Sequence, residues 1–294
     1  MKENKLKCLI CSEPVYEEVT SNTYRYYKCS KCNTSQVLPQ PSPEQLSDYY
    51  NSFHLSDTKG GTYDWVEERM KADFGTKAVL ISELVNKKNI KLLDVGCGKG
   101  FFVEECVKSG IDAQGLDVSE SGIKYANEIL NVKAECKAIE EVIDIPEYKS
   151  AFDVITLWAT IEHVPDPFGL LRSIYSCLKP GGLFVLDTGL GNVKEEKYLS
   201  GHSQWYDALQ HLFVYSEEGL NKVLKDTGFR IESVNRNFER SFLRRFVKNL
   251  RHRMICYGSF VLLRPVLGNS GFNSMKKESK WPIGKLIQIA AYKN

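Results

Sequence analysis

No apolar run in this chain reaches the roughly 18 residues needed to cross a bilayer. The best candidate, YGSFVLLRPVL, is interrupted by Arg264 and Pro265. The stretch MKENKLKCLICSEP lacks the apolar core of a signal peptide. An excess of one charge sign is missing too: 39 Lys and Arg stand against 37 Asp and Glu, a net of +2. That balance does not mark a nucleic-acid binder. Together these absences predict a cytoplasmic chain. Its 294 residues allow one large domain, or a medium one with a small appendage, and 43% hydrophobic residues suffice for a full core.

Cysteine is not lacking. Nine are present, and in a reducing compartment metal binding or burial is expected before disulfides. Cys8 and Cys11 are separated by two residues, as are Cys29 and Cys32, and the alternating segment between the pairs suits a short hairpin. Each Cys-x-x-Cys turn presents two thiolates on one side of a bend, and two such turns complete a tetrahedral zinc site. With all four positions filled by protein, the metal is expected to be structural. No thioredoxin-like strand precedes either pair, which argues against a redox motif. Cys97, Cys106, Cys136, Cys177 and Cys256 lie in apolar surroundings and are expected to be small buried residues.

Prolines 39, 41 and 43 mark a linker after residue 38. Ser42, Pro43 and Gln45 then form a near capping box that starts a helix. The glycines of SDTKGGTYDW suggest a loop, and a longer helix is predicted from Tyr63 to about Asn86. From Lys91 strands alternate with helices. KLLDV runs into the glycine turn GCGKG, and a helix follows that ends at Gly110. DAQGLDVS is the second strand, and Ser119 caps the next helix. The short strand VKAECKA and the apolar AFDVITLWAT come next, the latter patterned for burial on both faces. The helix PFGLLRSIYSCLK ends at Pro-Gly-Gly, which turns the chain into LFVLDTG. LNKVLKDTGF is a further helix, and RIESVNRNF and LIQIAAYK are candidate closing strands. This order implies an α/β fold with a parallel sheet and right-handed crossovers.

A glycine turn after the first strand usually cradles phosphate on bare backbone N–H groups. Asp94, just ahead of the glycines, would repel one. Asp117 ends the second strand, where an acid commonly bonds the hydroxyls of an adenosine ribose. A ligand carrying adenosine and positive charge but no phosphate removes the conflict, and S-adenosylmethionine is such a ligand.

LLDVGCGKGFF, GLDVSE, FDVITLWATIEHVPDP and LKPGGLFVLDTG, taken together, resemble the successive motifs of class I S-adenosylmethionine-dependent methyltransferases over roughly residues 75–235. The cysteine module with LPQPSPEQLSDYY, and the segment WYDALQHLFVYSEEGLNKVLKDTGF, are similar to a subgroup with an N-terminal zinc ribbon, often associated with surface-glycan or sugar biosynthesis. The resemblance implies a Rossmann-like, doubly wound, mostly parallel seven-stranded sheet. The expected organisation is a zinc ribbon over 1–38, a linker and helical cap over 39–90, a cofactor-binding core over 91–235, and a basic segment with a closing strand over 236–294.

It also implies a cofactor site lined by Asp94, Gly96, Gly98 and Gly100, with Asp117 on the ribose and Val118 bordering the adenine. Ala138 and Ile139 take the adenine-edge position. Trp158 follows the fourth strand where the family contacts the cofactor, although its alternative role is core. His163 in IEHVPDP and His211 in LQHLF are the candidate bases, His163 being otherwise a loop anchor. Trp205 and Tyr206 are candidates for the acceptor pocket or for packing, and Asp187 faces the same rim.

The resemblance points to a small-molecule acceptor, a nucleotide-linked sugar or a capsule or O-antigen precursor. An RNA methyltransferase is an alternative, because zinc ribbons often touch RNA. Against it, the ribbon carries Glu13, Glu17 and Glu18, and no Asn/Asp-Pro-Pro-Tyr motif for base methylation is present. A non-catalytic cofactor-binding adapter is a second alternative, and an NAD-dependent oxidoreductase conflicts with Asp94. Residues 236–253 hold seven Lys or Arg against one Glu, with Phe238, Phe242, Phe246 and Leu250 four apart. Such a face packs on the domain, or meets a membrane surface or an anionic acceptor.

Overall fold

The computed structural model describes residues 6–21, 23–46, 48–49, 64–85, 87–191, 206–235 and 285–294. Phe53, Trp205, Cys256, most of the glycine loop before residue 64 and the basic segment 236–253 lie outside them.

The first sheet grows from the cysteine segment. β1 (Val15–Ser21) and β2 (Tyr24–Cys29) form the expected hairpin, and β3 (Ser35–Val37) adds to β2, all antiparallel. Ser42 Oγ accepts from the Gln45 N–H at 3.3 Å while Gln45 Oε1 accepts from the Ser42 N–H at 2.8 Å, closing the capping box read from the sequence. α1 (Asp64–Val85) matches the long helix.

The second sheet is built by alternation. β4 (Lys91–Val95), α2 (Phe101–Lys108), β5 (Asp112–Asp117), α3 (Glu120–Glu128) and β6 (Ala134–Cys136) wind to one side. The chain then returns to the other side of β4 with β7 (Phe152–Trp158), α4 (Pro167–Cys177) and β8 (Leu178–Leu190). β9 (Phe213–Val214), α5 (Glu217–Asp226), β10 (Phe229–Asn235) and β11 (Lys285–Lys293) complete the described elements. The seven strands lie in the order β10-β11-β8-β7-β4-β5-β6, with β11 antiparallel to both its neighbours and the β5-β4-β7-β8 pairs parallel. All seven residues of β7 are buried because apolar side chains cover both faces. Winding to one side of β4 and then the other leaves a topological switch point between β4 and β7, and ligands of open α/β sheets bind beyond the carboxyl ends of the strands there.

Three expectations need correction. β8 begins at Leu178 and passes through the Pro-Gly-Gly, where Gly181 takes a φ of 70°, so the glycines bend a strand already under way. α5 starts three residues before Leu220, because Ser216 Oγ caps the Gly219 N–H at 2.9 Å. Cys136 is exposed at the end of the short outer strand β6, unlike Cys97, Cys106 and Cys177.

β9 was not foreseen from the sequence. It belongs to the first sheet, pairing Ser35 with Val214 and Gln36 with Phe213. The cysteine segment therefore takes its fourth strand from the core.

Candidate active site

The glycine turn sits at the switch point. Gly96, Gly98 and Gly100 have φ values of 74°, 52° and 80°, in the left-handed region that a side chain disfavours. At Gly96 the reason is also contact: a Cβ there would lie 2.4 Å from Thr160 Oγ1. A Cβ at Gly98 would meet nothing within 4 Å, so this edge of the turn is open to a ligand.

Asp117 leaves the end of β5 and organises the turn. One carboxylate oxygen accepts from the Gly98 N–H and the other from the Ser119 N–H, both at 2.8 Å. Each oxygen keeps lone-pair capacity for a ribose hydroxyl. Val118, next in the chain, is 71% exposed, an unusual place for an apolar side chain unless a ligand covers it. Ala138 is half-buried, while Ile139 packs inside the main core, so of this pair only Ala138 offers surface to a cofactor.

Asp94 is buried on β4 and accepts from Thr156 Oγ1 at 2.7 Å. Burial lifts its carboxyl to about 8, with Asp117 and Asp187 adding to the rise and Thr156 and Lys77 opposing it. A buried acid with two more acids nearby is a poor phosphate site and a good one for a cation. Lys77, on α1, is the cation that the protein itself supplies. Its ammonium pairs with Asp187 at 2.8 Å and Asp73 at 3.1 Å, and lies 4.3 Å from the centre of the Trp158 ring. Trp158 is buried against Phe102, and its indole N–H has no hydrogen-bond partner. The next residue, Ala159, has a φ of 44° and donates its N–H to Asp187 Oδ1 at 2.9 Å. The Lys77–Asp187 pair thus pins the turn after β7. Its Lys77 arm is 77 residues into the chain on a helix with no motif, so sequence reading passed over it.

Beyond that turn, Glu162, His163 and His211 converge, their ligand-type atoms all within 4.8 Å of one another. Glu162 and His163 share a short 3-10 turn (Ile161–His163), and the Leu212 N–H donates to the Glu162 carbonyl at 2.8 Å, clipping the His211 segment to it. The two imidazoles meet at a tilt of 33°, with 4.9 Å between ring centres. Burial holds His163 below its usual value, so its ring is neutral near pH 7. Its Nδ1 donates to the Gln210 carbonyl, which can only accept, and the Ala159 backbone also hydrogen-bonds the ring. Glu162 is buried with neither carboxylate oxygen hydrogen-bonded, and burial pushes it up to about 7. The Thr188 hydroxyl is near enough to oppose that rise but is itself unbonded. Glu162 stands beside His163 in the sequence, an acid in an otherwise apolar turn, and that signal was available.

The four cysteines also converge. Cys8 and Cys32 sulfurs are 3.7 Å apart, and Cys11 and Cys29 sulfurs 3.3 Å. Four thiolates at about 2.3 Å from one zinc ion stand close to such spacings. Backbone N–H groups of Ile10 and Cys32 donate to the sulfurs of Cys8 and Cys29 at 3.4 Å, as the bends of a metal knuckle require. The residues fit the metal. Tyr206, foreseen as pocket or packing, packs: its ring meets Tyr26 edge-on at 4.9 Å and its hydroxyl bonds Glu18.

The glycine turn at the switch point of the sheet, with the acids Asp94, Asp117 and Asp187 around it, belongs to an α/β fold of the doubly wound kind. The chain belongs to the methyltransferase-domain family, whose pattern matches residues 67–234. It is 36% identical over 109 residues to the ubiquinone biosynthesis O-methyltransferase of Idiomarina loihiensis, covering 35% of this chain and 44% of that protein. The chain spans about half the length of the curated relatives it matches. Among solved structures it resembles a SAM-dependent methyltransferase from Archaeoglobus fulgidus, with a TM-score of 0.53, 20% identity and coverage of 84% of this chain and 100% of that one. It also resembles the [4+2]-cyclase SpnF, with a TM-score of 0.52, 21% identity and coverage of 74% and 81%. No described helix is long and apolar enough to cross a membrane.

Proposed function

We propose that this chain is an S-adenosylmethionine-dependent methyltransferase that methylates a hydroxyl oxygen of a small acceptor. The observation that carries the reading is the buried Glu162–His163–His211 cluster, reached within three residues of Thr160, which itself lies against the glycine turn. In this reading Asp94, Gly96, Gly98, Gly100, Asp117, Val118, Ala138 and Trp158 surround the cofactor, and the acidic crevice favours its sulfonium and ammonium. The acceptor oxygen attacks the methyl carbon in line, the carbon–sulfur bond breaks, and S-adenosylhomocysteine leaves. The hydroxyl proton passes to the activating cluster of Glu162, His163 and His211. Alignment supplies much of the rate, because the sulfonium is already a good leaving group.

The named activity of the curated relatives, O-methylation, supports oxygen as the atom methylated. For the acceptor class, the likeness of residues 1–50 and 205–229 to the zinc-ribbon subgroup supports a nucleotide-linked sugar or surface-glycan precursor. The four cysteines are proposed to hold a structural zinc ion that closes the ribbon. Arg25, Lys28 and Lys31 of the ribbon pair with Glu17, Glu18 and Glu13, which disfavours RNA as the acceptor. A non-catalytic adapter would bind cofactor and turn nothing over.

The test is turnover of methyl-labelled S-adenosylmethionine with a panel of nucleotide sugars and of phenols, read by mass spectrometry. A methyl ether on a sugar supports the whole reading, and one on a phenol keeps the chemistry while replacing the acceptor class. Methyl transfer to carbon or nitrogen overturns the oxygen assignment.

A further inference from the structure

Glu162, His163 and His211 have the properties of a metal site as well as of an acid–base cluster. They come from two segments held together through the Leu212 N–H and the Glu162 carbonyl at 2.8 Å. Three observations separate them from a chance cluster. Glu162 is 2% exposed and neither carboxylate oxygen has a hydrogen-bond partner, a strongly unfavourable state for an ion that no cation neutralises. His163 directs its Nδ1 proton to the Gln210 carbonyl, the kind of outer hydrogen bond by which metal-bound histidines fix their tautomer. The donor set itself, two imidazoles and one carboxylate, is one that binds zinc with coordination positions left open.

The geometry is close to what such an ion needs. Ligand atoms about 2.0–2.1 Å from a tetrahedral ion stand roughly 3.4 Å apart. These atoms lie within 4.8 Å of one another, so modest side-chain rotations bring all three onto a common centre. The cluster shares no residue with the four cysteines. Its two nitrogens and one carboxylate also differ from the all-oxygen set that calcium or magnesium prefers.

We propose that Glu162, His163 and His211 bind a second divalent transition-metal ion of the zinc type, distinct from the ion of the cysteine module. The role given to it rests on the O-methyl reading above and deepens it. Three protein ligands leave room for the acceptor oxygen, and a metal-bound hydroxyl is far more acidic than a free one. With the ion bound, Lewis acidity replaces the cluster's own acid–base role, and the hydroxyl proton is released to solvent. Metal binding itself does not depend on that role.

The test counts metal. The full-length chain is depleted, reloaded with Zn2+, freed of loose ion and analysed for zinc by elemental mass spectrometry, alongside Glu162→Gln and His211→Gln. S-adenosylhomocysteine affinity is measured on each preparation as a check on folding and, separately, on the methyltransferase reading. The expected result is the loss of one equivalent of zinc in both variants, with affinity for the cofactor product kept within about twofold. Cobalt substitution gives an independent count, because only the cysteine module yields thiolate-to-metal absorption. The same zinc content in wild type and both variants overturns the proposal, whether that content is one equivalent or two.

Discussion

The two halves of the site are held by different means. On the cofactor side the determinants are local: Asp94, three glycines and Asp117 fall within one strand-turn-helix-strand unit, and their hydrogen bonds stay within it or cross to the adjacent strand β7. On the other side the contacts span the chain. His163 meets the backbone of residue 210, Tyr26 donates to the His211 carbonyl at 2.5 Å, and Ser35 pairs with Val214. The proposed cofactor half is a motif, whereas the proposed acceptor half is an assembly to which the cysteine module contributes. A donor shared by many enzymes is served by a reusable unit, and specificity is built from contacts distant in sequence.

The comparison predicts that damage to the two halves separates in kinetics. The largest effect is expected for His163→Gln. Loss of the activating imidazole lowers kcat by about 10²–10⁴-fold, while calorimetric affinity for S-adenosylhomocysteine changes less than twofold. A parallel loss of affinity would show the halves to be one unit. Next comes Asp117→Ala, which removes the acceptor for the Gly98 and Ser119 N–H groups as well as the ribose contact. Two charge-assisted hydrogen bonds lost together weaken cofactor binding by about 100-fold or more. An unchanged dissociation constant would move the ribose elsewhere.

A smaller effect sharpens the link through the ribbon. Tyr26 is wholly buried, and its hydroxyl is the side-chain partner of the His211 carbonyl. Tyr26→Phe keeps the ring against Tyr206 and deletes that bond, at a cost of about 1 kcal/mol or somewhat more. A fall in kcat/KM for the acceptor of about fivefold to tenfold is expected, with cofactor affinity intact. Equal effects on both substrates would make Tyr26 a general packing residue.

Legibility in the sequence follows the same division. The sheet, its order of helices and the glycine turn could be read because alternation, capping residues such as Ser119 and a continuous apolar strand such as β7 are local signals. His163 and His211 could be named one at a time, yet nothing in either segment says that they meet. β9 is two residues long and carries no periodicity, so only its partner strand reveals it. Lys77 was invisible for a related reason: a lysine on a helix reads as solvated until Asp187, 110 residues later, is seen beside it at 2.8 Å.

A pH-dependent effect tests why Asp94 is there at all. Burial raises its carboxyl from 3.8 to about 8, so the folded chain favours the protonated form more than the unfolded chain does. That preference supports the fold fully below the ordinary carboxylate range and is lost as pH rises through about 8. In Asp94→Asn the titrating group is gone and the shape is kept. Its melting temperature is expected to track the wild type near pH 4 and to exceed it increasingly as pH rises toward 8. The same substitution weakens S-adenosylmethionine binding, because a cation entering the crevice ionises Asp94. Calorimetry near pH 7 in buffers of different ionisation heat should therefore detect proton release on cofactor binding in the wild type and little in the variant. Proton release of equal size in both would place the ionising group elsewhere, and a variant no more stable at pH 8 would mean that Asp94 is already charged and paired in the free enzyme.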